Sequence, residues 1–243
     1  MSRQPIDPPP PPGAFYGRRV GKALTAGQKS AIDLLLPRYR IDLAAAQEPD
    51  ALFPTPGRLW LEIGFGGGEH LVSHAERCPQ TRFIGVEPFA NGMSRMLADL
   101  AEAGLANVRV FDADAALLLD VLPASCFDGA DLFYPDPWPK RRHWKRRFVR
   151  PDNLDRLARV IRPGGVFRFA SDVPDYVGWT LAEVRAHGGF AWDAGAADDW
   201  RQPYPHWPGT RYEAKAIKAG RIPTYLTFRR LGPDASAEAC AAG

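Results

Sequence analysis

Cysteine is scarce in this chain. Of 243 residues only Cys78, Cys126 and Cys240 carry a thiol. The number is odd, the spacing wide and no C-x-x-C occurs, so neither a disulfide framework nor a cysteine zinc site is expected. Such usage fits a reducing cytoplasm. Long apolar runs are missing too: none approaches the roughly 18 residues of a membrane helix. The N-terminus has no basic segment leading into an apolar one, so neither an anchor nor an export signal is expected. The net charge is only +3, and an anionic partner must therefore be met by a local patch rather than by the whole molecule. No internal repeat is present. What is there, 45% hydrophobic and 24% charged residues, is the composition of a soluble protein with one substantial core.

Residues 1–14 hold Pro5 and Pro8 to Pro12 with few large apolar groups, which predicts a disordered, polyproline-like head. Residues 15–57 read as a basic arm with Arg18, Arg19 and Lys22, then a short helix through Gln28 to Leu36. Thr25 is expected to cap that helix and Ile32, Leu35 and Leu36 to face the core. Pro49, Pro54, Pro56 and Gly57 mark a linker. From 58 to 230 strand and helix patterns take turns. RLWLEIGF, RFIGVE, NVRVF, DGADLF and VFRFAS read as strands; 69–77, 90–103, 115–121 and a segment capped by Asp152 read as helices. Alternation of this kind predicts an α/β fold, doubly wound around a mostly parallel sheet. The end departs from it: 189–192 and 224–229 read as strands with no full helix between them, an antiparallel closing hairpin. Residues 231–243 read as a loose tail.

Where the first strand ends, Glu62, Gly64, Gly66 and Gly68 form E-x-G-x-G-x-G, a turn that lets a ligand approach the backbone. A dinucleotide fingerprint would need glycine in place of Glu69, whose carboxylate would repel a pyrophosphate at the helix N-terminus. A nicotinamide oxidoreductase is disfavoured accordingly. Glu87, after the second strand, is placed to accept both hydroxyls of a ribose, and Asp114, after the third, to accept from an adenine amino group. Together the acids describe adenosine with a cationic tail, and S-adenosylmethionine is the natural candidate. A turn kept for packing would explain the glycines but not the acids.

The stretch from Tyr134 to Arg147, YPDPWPKRRHWKRR, sets Asp136 among three prolines. Each fixes its own φ, lacks an N–H and biases its predecessor to extended geometry, so a stiff loop is expected. It leaves the C-terminal end of the DGADLF strand, the edge at which open α/β sheets bind ligands. Six cations in the eight residues from Lys140 to Arg147 repel one another unless an anion meets them. With His143 and Trp144 among them, phosphates and bases are the expected contacts. A solvated charged face is the commoner meaning of such a run, but it would not need Asp-Pro-Trp at its start. His70 and His74, four apart, could share a metal. No third ligand is evident, so a helix surface without metal is expected.

With these residues in view, LEIGFGGGEH, GVEP, FYPDPWPKRRHWKRR, ASD at 170–172 and TRYEAKAIKAG at 210–220 resemble the bacterial single-chain tRNA (guanine-N7-)-methyltransferase family, over about 18–230. The resemblance implies a class I, Rossmann-like methyltransferase fold, S-adenosylmethionine as donor, and a variable-loop guanosine of tRNA as acceptor. Carried across position by position, it implies that Glu62, Glu87, Asp114 and Asp136 line the cofactor site with the glycines, and that Asp136 is catalytic. Lys140, Asp172, Thr210, Arg211, Tyr212 and Glu213 would contact the substrate; Arg142, His143, Trp144, Lys145, Arg146 and Arg147 would meet the RNA. On the residues alone, Trp138 or Trp144 could stack on the base, and either could equally be structural, a choice that burial decides. SDVPDYVGW after Asp172 and the polyproline head depart from the family pattern. Members occur as monomers and dimers, and no obligate protein partner is expected. Two rivals stand beside this reading. Asp136-Pro137-Trp138 is similar to the acid-Pro-Pro-aromatic motif of exocyclic-amine methyltransferases, though without its second proline. A non-catalytic RNA-binding subunit would keep the cations but have no use for Glu62, Glu87 and Asp114.

Overall fold

The computed structural model describes Gly17 and residues 19–232; the expected disordered head, Arg18 and the tail from 233 lie outside the described residues. Strands β1 (Arg58–Ile63), β2 (Thr81–Val86), β3 (Val108–Phe111), β4 (Phe127–Phe133), β5 (Ile161–Ser171), β6 (Phe190–Trp192) and β7 (Thr224–Arg230) form one sheet. Its order is β3-β2-β1-β4-β5-β7-β6. The pairings among β1 to β5 are parallel, and β7 is antiparallel to both β5 and β6. Interior strands must be apolar on both faces when helices cover both, and five of six β2 residues and six of seven β4 residues are buried.

Helices α1 (Ala26–Tyr39), α2 (Glu69–Arg77) and α3 (Ala90–Glu102) pack on one face; α4 (Ala115–Val121), α5 (Pro151–Val160) and α6 (Pro174–His187) pack on the other. One core joins Leu71, Phe83, Met96 and Leu100 with Tyr39 of α1; the larger one joins Leu61, Leu118, Leu157 and Phe169. Thr25 makes the full capping box with Gln28, and Ile32, Leu35 and Leu36 pack on the first core as expected.

Several local expectations are corrected. The 49–57 linker is structured: two 3-10 turns, Ala45–Gln47 and Pro49–Leu52, precede buried Phe53, and Arg82 donates to Asp50 at 2.6 Å and to the Gly57 carbonyl. Asp152 does not cap α5; Arg150 is the N-cap and Pro151 opens the helix, where its missing N–H costs nothing. Between β6 and β7 lie a short α7 (Asp198–Arg201) and a full helix, α8 (Arg211–Lys218). Thr210-x-x-Glu213 caps α8, the hydroxyl accepting from the Glu213 N–H and the carboxylate from the Thr210 N–H. That signal was present in the sequence. Among the described residues no helix is long and apolar enough to cross a membrane.

The consequence for function is geometric. β1 sits between β2 and β4, so the loops leaving β1 and β4 diverge at the sheet's C-terminal edge and open a crevice there.

Candidate active site

That crevice is a cavity of about 470 Å³, lined among others by Gly64, Gly66, Glu87, Asp114, Asp136 and Tyr212. Each acid arrives from a different strand end. Gly64 and Gly66 have φ of +70° and +59°, a region that L side chains avoid. A Cβ added to Gly64 would stand in open space, so the backbone there is approachable. Gly66 donates its N–H to Glu87 Oε2 at 2.7 Å, and Phe89 donates to Oε1 at 2.9 Å. These bonds hold the carboxyl in place, yet its burial dominates and, with some help from Asp136, pushes the pKa up to about 7. Asp114 caps α4 through Oδ1, which accepts from the Ala116 N–H at 2.9 Å.

Two expected cofactor residues stand elsewhere. Glu62 is buried and does not line the cavity; its Oε2 lies 2.7 Å from His70 Nδ1. Gly68 does not line the cavity; with φ +82° it opens α2, and a Cβ there would collide with Met96 of α3. Its glycine serves helix packing.

Asp136 is carried by a strained turn. Tyr134 and Trp138 on either side of it have φ of +50° and +42°, conformations that cost bulky residues ~1–3 kcal/mol each and persist only where neighbours enforce them. Here the neighbours are identifiable. Tyr134 donates its N–H to the Ala170 carbonyl at 2.8 Å and its hydroxyl to Glu213 at 3.2 Å, while Arg147 Nε donates to the Pro137 carbonyl at 3.0 Å. Asp136 is exposed at the cavity rim, but the protein around it excludes enough water to raise its pKa.

Of the expected substrate residues, Tyr212 lies on the cavity and Arg211 beside the glycine loop, where its Nε donates to Glu69 at 2.7 Å. Glu213 is buried and fully occupied: it accepts from Trp207 Nε1 at 2.7 Å, from the Tyr134 and Tyr225 hydroxyls and from the Thr210 N–H. Thr210 and Glu213 thus tie α8 to the Asp136 loop, a structural task the sequence reading missed. Asp172 accepts from Arg221 Nε at 2.5 Å, and neither it nor exposed Lys140 lines the cavity.

The basic run is not uniform. Residues Arg141–Arg146 wind into a 3-10 helix rather than remaining loop. Arg142 and Lys145 are exposed and His143 half-buried; Arg146 lies 4.9 Å over the Trp138 ring at the cavity edge. Arg147 departs most from expectation. It is 1% exposed, pairs with Asp175 and lies about 5 Å from the rings of Trp144, Tyr176 and Trp179. Trp144 packs against Trp179 at 5.3 Å and does not line the cavity, whereas Trp138 does.

His70 and His74 also differ from a helix surface. His70 is buried, and a third possible ligand, Asp131, lies with them so that one atom of each is within 4.8 Å of the others. Both Asp131 oxygens are already taken, by Arg168 at 2.6 Å each and by Trp60 Nε1 at 2.8 Å. A cation there would have to displace a guanidinium. Burial lowers the His74 pKa to about 4, so the cluster reads as a neutral imidazole beside a paired buried acid.

A mostly parallel sheet with a glycine turn after β1 and cavity acids after β2, β3 and β4 defines a class I methyltransferase. Known proteins narrow the class. Residues 57–225 match the Methyltransf_4 family of methyltransferases. The tRNA (guanine-N(7)-)-methyltransferase of Azorhizobium caulinodans is 65% identical over 220 residues, 90% of this chain and 96% of that protein. Its namesake from Rhizobium johnstonii is 58% identical over 221 residues, 90% and 95% of the two chains. This chain belongs to the tRNA (guanine-N(7)-)-methyltransferase family. Among solved structures, an antibiotic-related methyltransferase shares the fold with a TM-score of 0.51 at 18% identity, over 77% of this chain and 93% of that one.

Proposed function

We propose that this enzyme transfers the methyl group of S-adenosylmethionine to N7 of a variable-loop guanosine in tRNA. The observation that carries the reading is the meeting of Glu87, Asp114 and Asp136 in one cavity whose rim bears Arg146 and the basic turn. The donor set suits the cofactor. Glu87 would accept from the ribose hydroxyls and Asp114 from the adenine amino group through the oxygen that does not cap α4, while Gly64 and Gly66 leave the backbone open. When bound, S-adenosylmethionine supplies an electrophilic methyl group on a cationic sulfur. Three acids around that cavity favour the cation.

Guanine N7 has an in-plane lone pair and no proton, so no base is required at the attacking atom. Asp136 serves instead by accepting from guanine N1–H and the exocyclic amine, which orients N7, and by remaining anionic as positive charge moves onto the ring. Trp138 offers a face for the base. Exposed Lys140, Arg142 and Lys145 contribute phosphate contacts, which position the RNA without reading its sequence.

Arg147 belongs to the catalytic loop rather than to the RNA surface. Arg147→Gln is expected to lower kcat by loosening the Pro137 carbonyl and with it Asp136, while the salt dependence of tRNA binding stays that of the wild type; a flattened slope would return Arg147 to the phosphate contacts.

The deciding experiment is methyl transfer from labelled S-adenosylmethionine to unmethylated tRNA, with the product digested and its methylated nucleoside identified by mass spectrometry. N7-methylguanosine is expected. A methylated exocyclic amine would overturn the choice of atom, and tight tRNA binding without transfer would overturn the catalytic reading.

A further inference from the structure

Helix α8 buries only Glu213 and Ala216 of its eight residues. The rest of its surface is unusual for a short amphipathic helix: Tyr212 is 45% exposed, Ile217 59%, and Ile222 just beyond it 80%. The cations of α8 and of the turn that follows it fall into two groups. Arg211 and Arg221 are committed, to Glu69 and Asp172 respectively. Lys215 and Lys218 have no carboxylate of the described residues within ion-pair distance, and Lys215 Nζ lies 5.7 Å from the centroid of the Tyr212 ring. The two lysines are three residues apart, a rise of about 4.5 Å along one face. An aromatic ring at the cavity followed along the helix by two unneutralised ammonium groups combines the two features that hold a single nucleic-acid strand, a stacking face and cations for its backbone.

We infer that the exposed face of α8 is a second RNA-contact surface, distinct from the basic turn after Asp136, on which Lys215 and Lys218 take backbone phosphates next to the target nucleotide. This rests on the tRNA reading above and extends it to residues that reading did not use. Charge complementarity selects the occupant. A protein or lipid partner would also cover Ile217 and Ile222, but only a polyanion that already enters the cavity accounts for both lysines and for Tyr212 at its wall. The isoleucines then meet the apolar faces of the neighbouring sugars and bases.

The test is the full-length Lys215→Gln/Lys218→Gln double variant. Both residues are exposed, so the fold is not at stake. Its plot of log affinity for tRNA against log salt is expected to be shallower by about 1.4–1.8, two phosphate contacts at roughly 0.7–0.9 each. KM for tRNA at low salt is expected to rise about tenfold, with kcat at saturating tRNA and the affinity for S-adenosylmethionine unchanged. Lys29→Gln on α1, another exposed lysine, serves as the control for simple loss of charge and should leave the slope as it is. A wild-type slope and KM in the double variant, or an equal change in the control, would overturn the inference. Failure of the tRNA reading itself would look different: the wild type would make no N7-methylguanosine.

Discussion

Asp136→Asn is expected to cut kcat for tRNA methylation by about 10²–10³-fold while the affinity for S-adenosylmethionine stays close to that of the wild type. The size follows from where the charge moves. In the ground state the positive charge sits on sulfur; at the transition state part of it has passed to guanine, and a fixed anion at the base is worth more then than before. Asparagine keeps the shape and one acceptor oxygen but loses the charge and presents an N–H₂ toward a guanine edge that itself only donates there. The variant should fold normally, because the strained turn is held by Tyr134, Glu213, Ala170 and Arg147 and not by the Asp136 carboxylate. Measuring kcat and the dissociation constant of S-adenosylmethionine separately checks the point. Equal losses in both would make Asp136 a cofactor ligand first. Because its pKa is raised by exclusion of water, wild-type kcat should also fall on the acid side at a higher pH than for an ordinary aspartate, and that limb should vanish in the variant.

The placement of these residues shows which physics was legible in the sequence. Apolar patterning located every strand of the parallel half, since β2 reads as a near-continuous apolar run and VFRFAS alternates; the start of β5 was not legible, because Pro163, Gly164 and Gly165 lie inside the strand. From strand order alone the ends of β1, β2, β3 and β4 meet, and three of the four acids expected in the cavity line it. Side-chain commitments were not legible. Nothing in the string KRRHWKRR distinguishes Arg147, enclosed by Trp144, Tyr176 and Trp179, from exposed Arg142; the distinction is made by α6, whose aromatic residues lie some thirty positions away. Glu62 likewise has its partner, His70, on the next helix, and Glu213 became a hub only when β7 and the Asp136 loop reached it. The left-handed backbone at Tyr134 and Trp138 has no sequence signal at all, since glycine or asparagine is the usual marker. Only the Thr210-x-x-Glu213 capping box was readable and went unused.

Glu87 supplies the second large effect, and here affinity and stability run in opposite directions with pH. Its native pKa is about 7 against an ordinary 4.5. Between those values the native protein holds a proton that the unfolded chain has released, so stability falls as pH rises. The contribution is fully present below about pH 4.5 and lost as pH passes 7, and its size is on the order of 3 kcal/mol. Cofactor binding has the other sign. Ribose hydroxyls need an acceptor and the sulfonium favours an anion, so binding selects the ionised form. Affinity for S-adenosylmethionine should be about tenfold weaker at pH 6 than at pH 8, from the protonated fraction of a group with that pKa. Glu87→Gln separates the terms. The amide cannot ionise, so the unliganded variant should lose this part of the pH dependence of its melting temperature. It should also bind the cofactor at least tenfold more weakly at pH 8, since the amide cannot accept from both the Gly66 and Phe89 N–H groups and still meet both hydroxyls. Calorimetric titration at pH 6, 7 and 8 with matched melting curves reads both quantities. Should the variant keep the wild-type pH dependence of affinity, Glu87 would not be the acid whose ionisation the bound cation selects, and the titrating group would lie elsewhere.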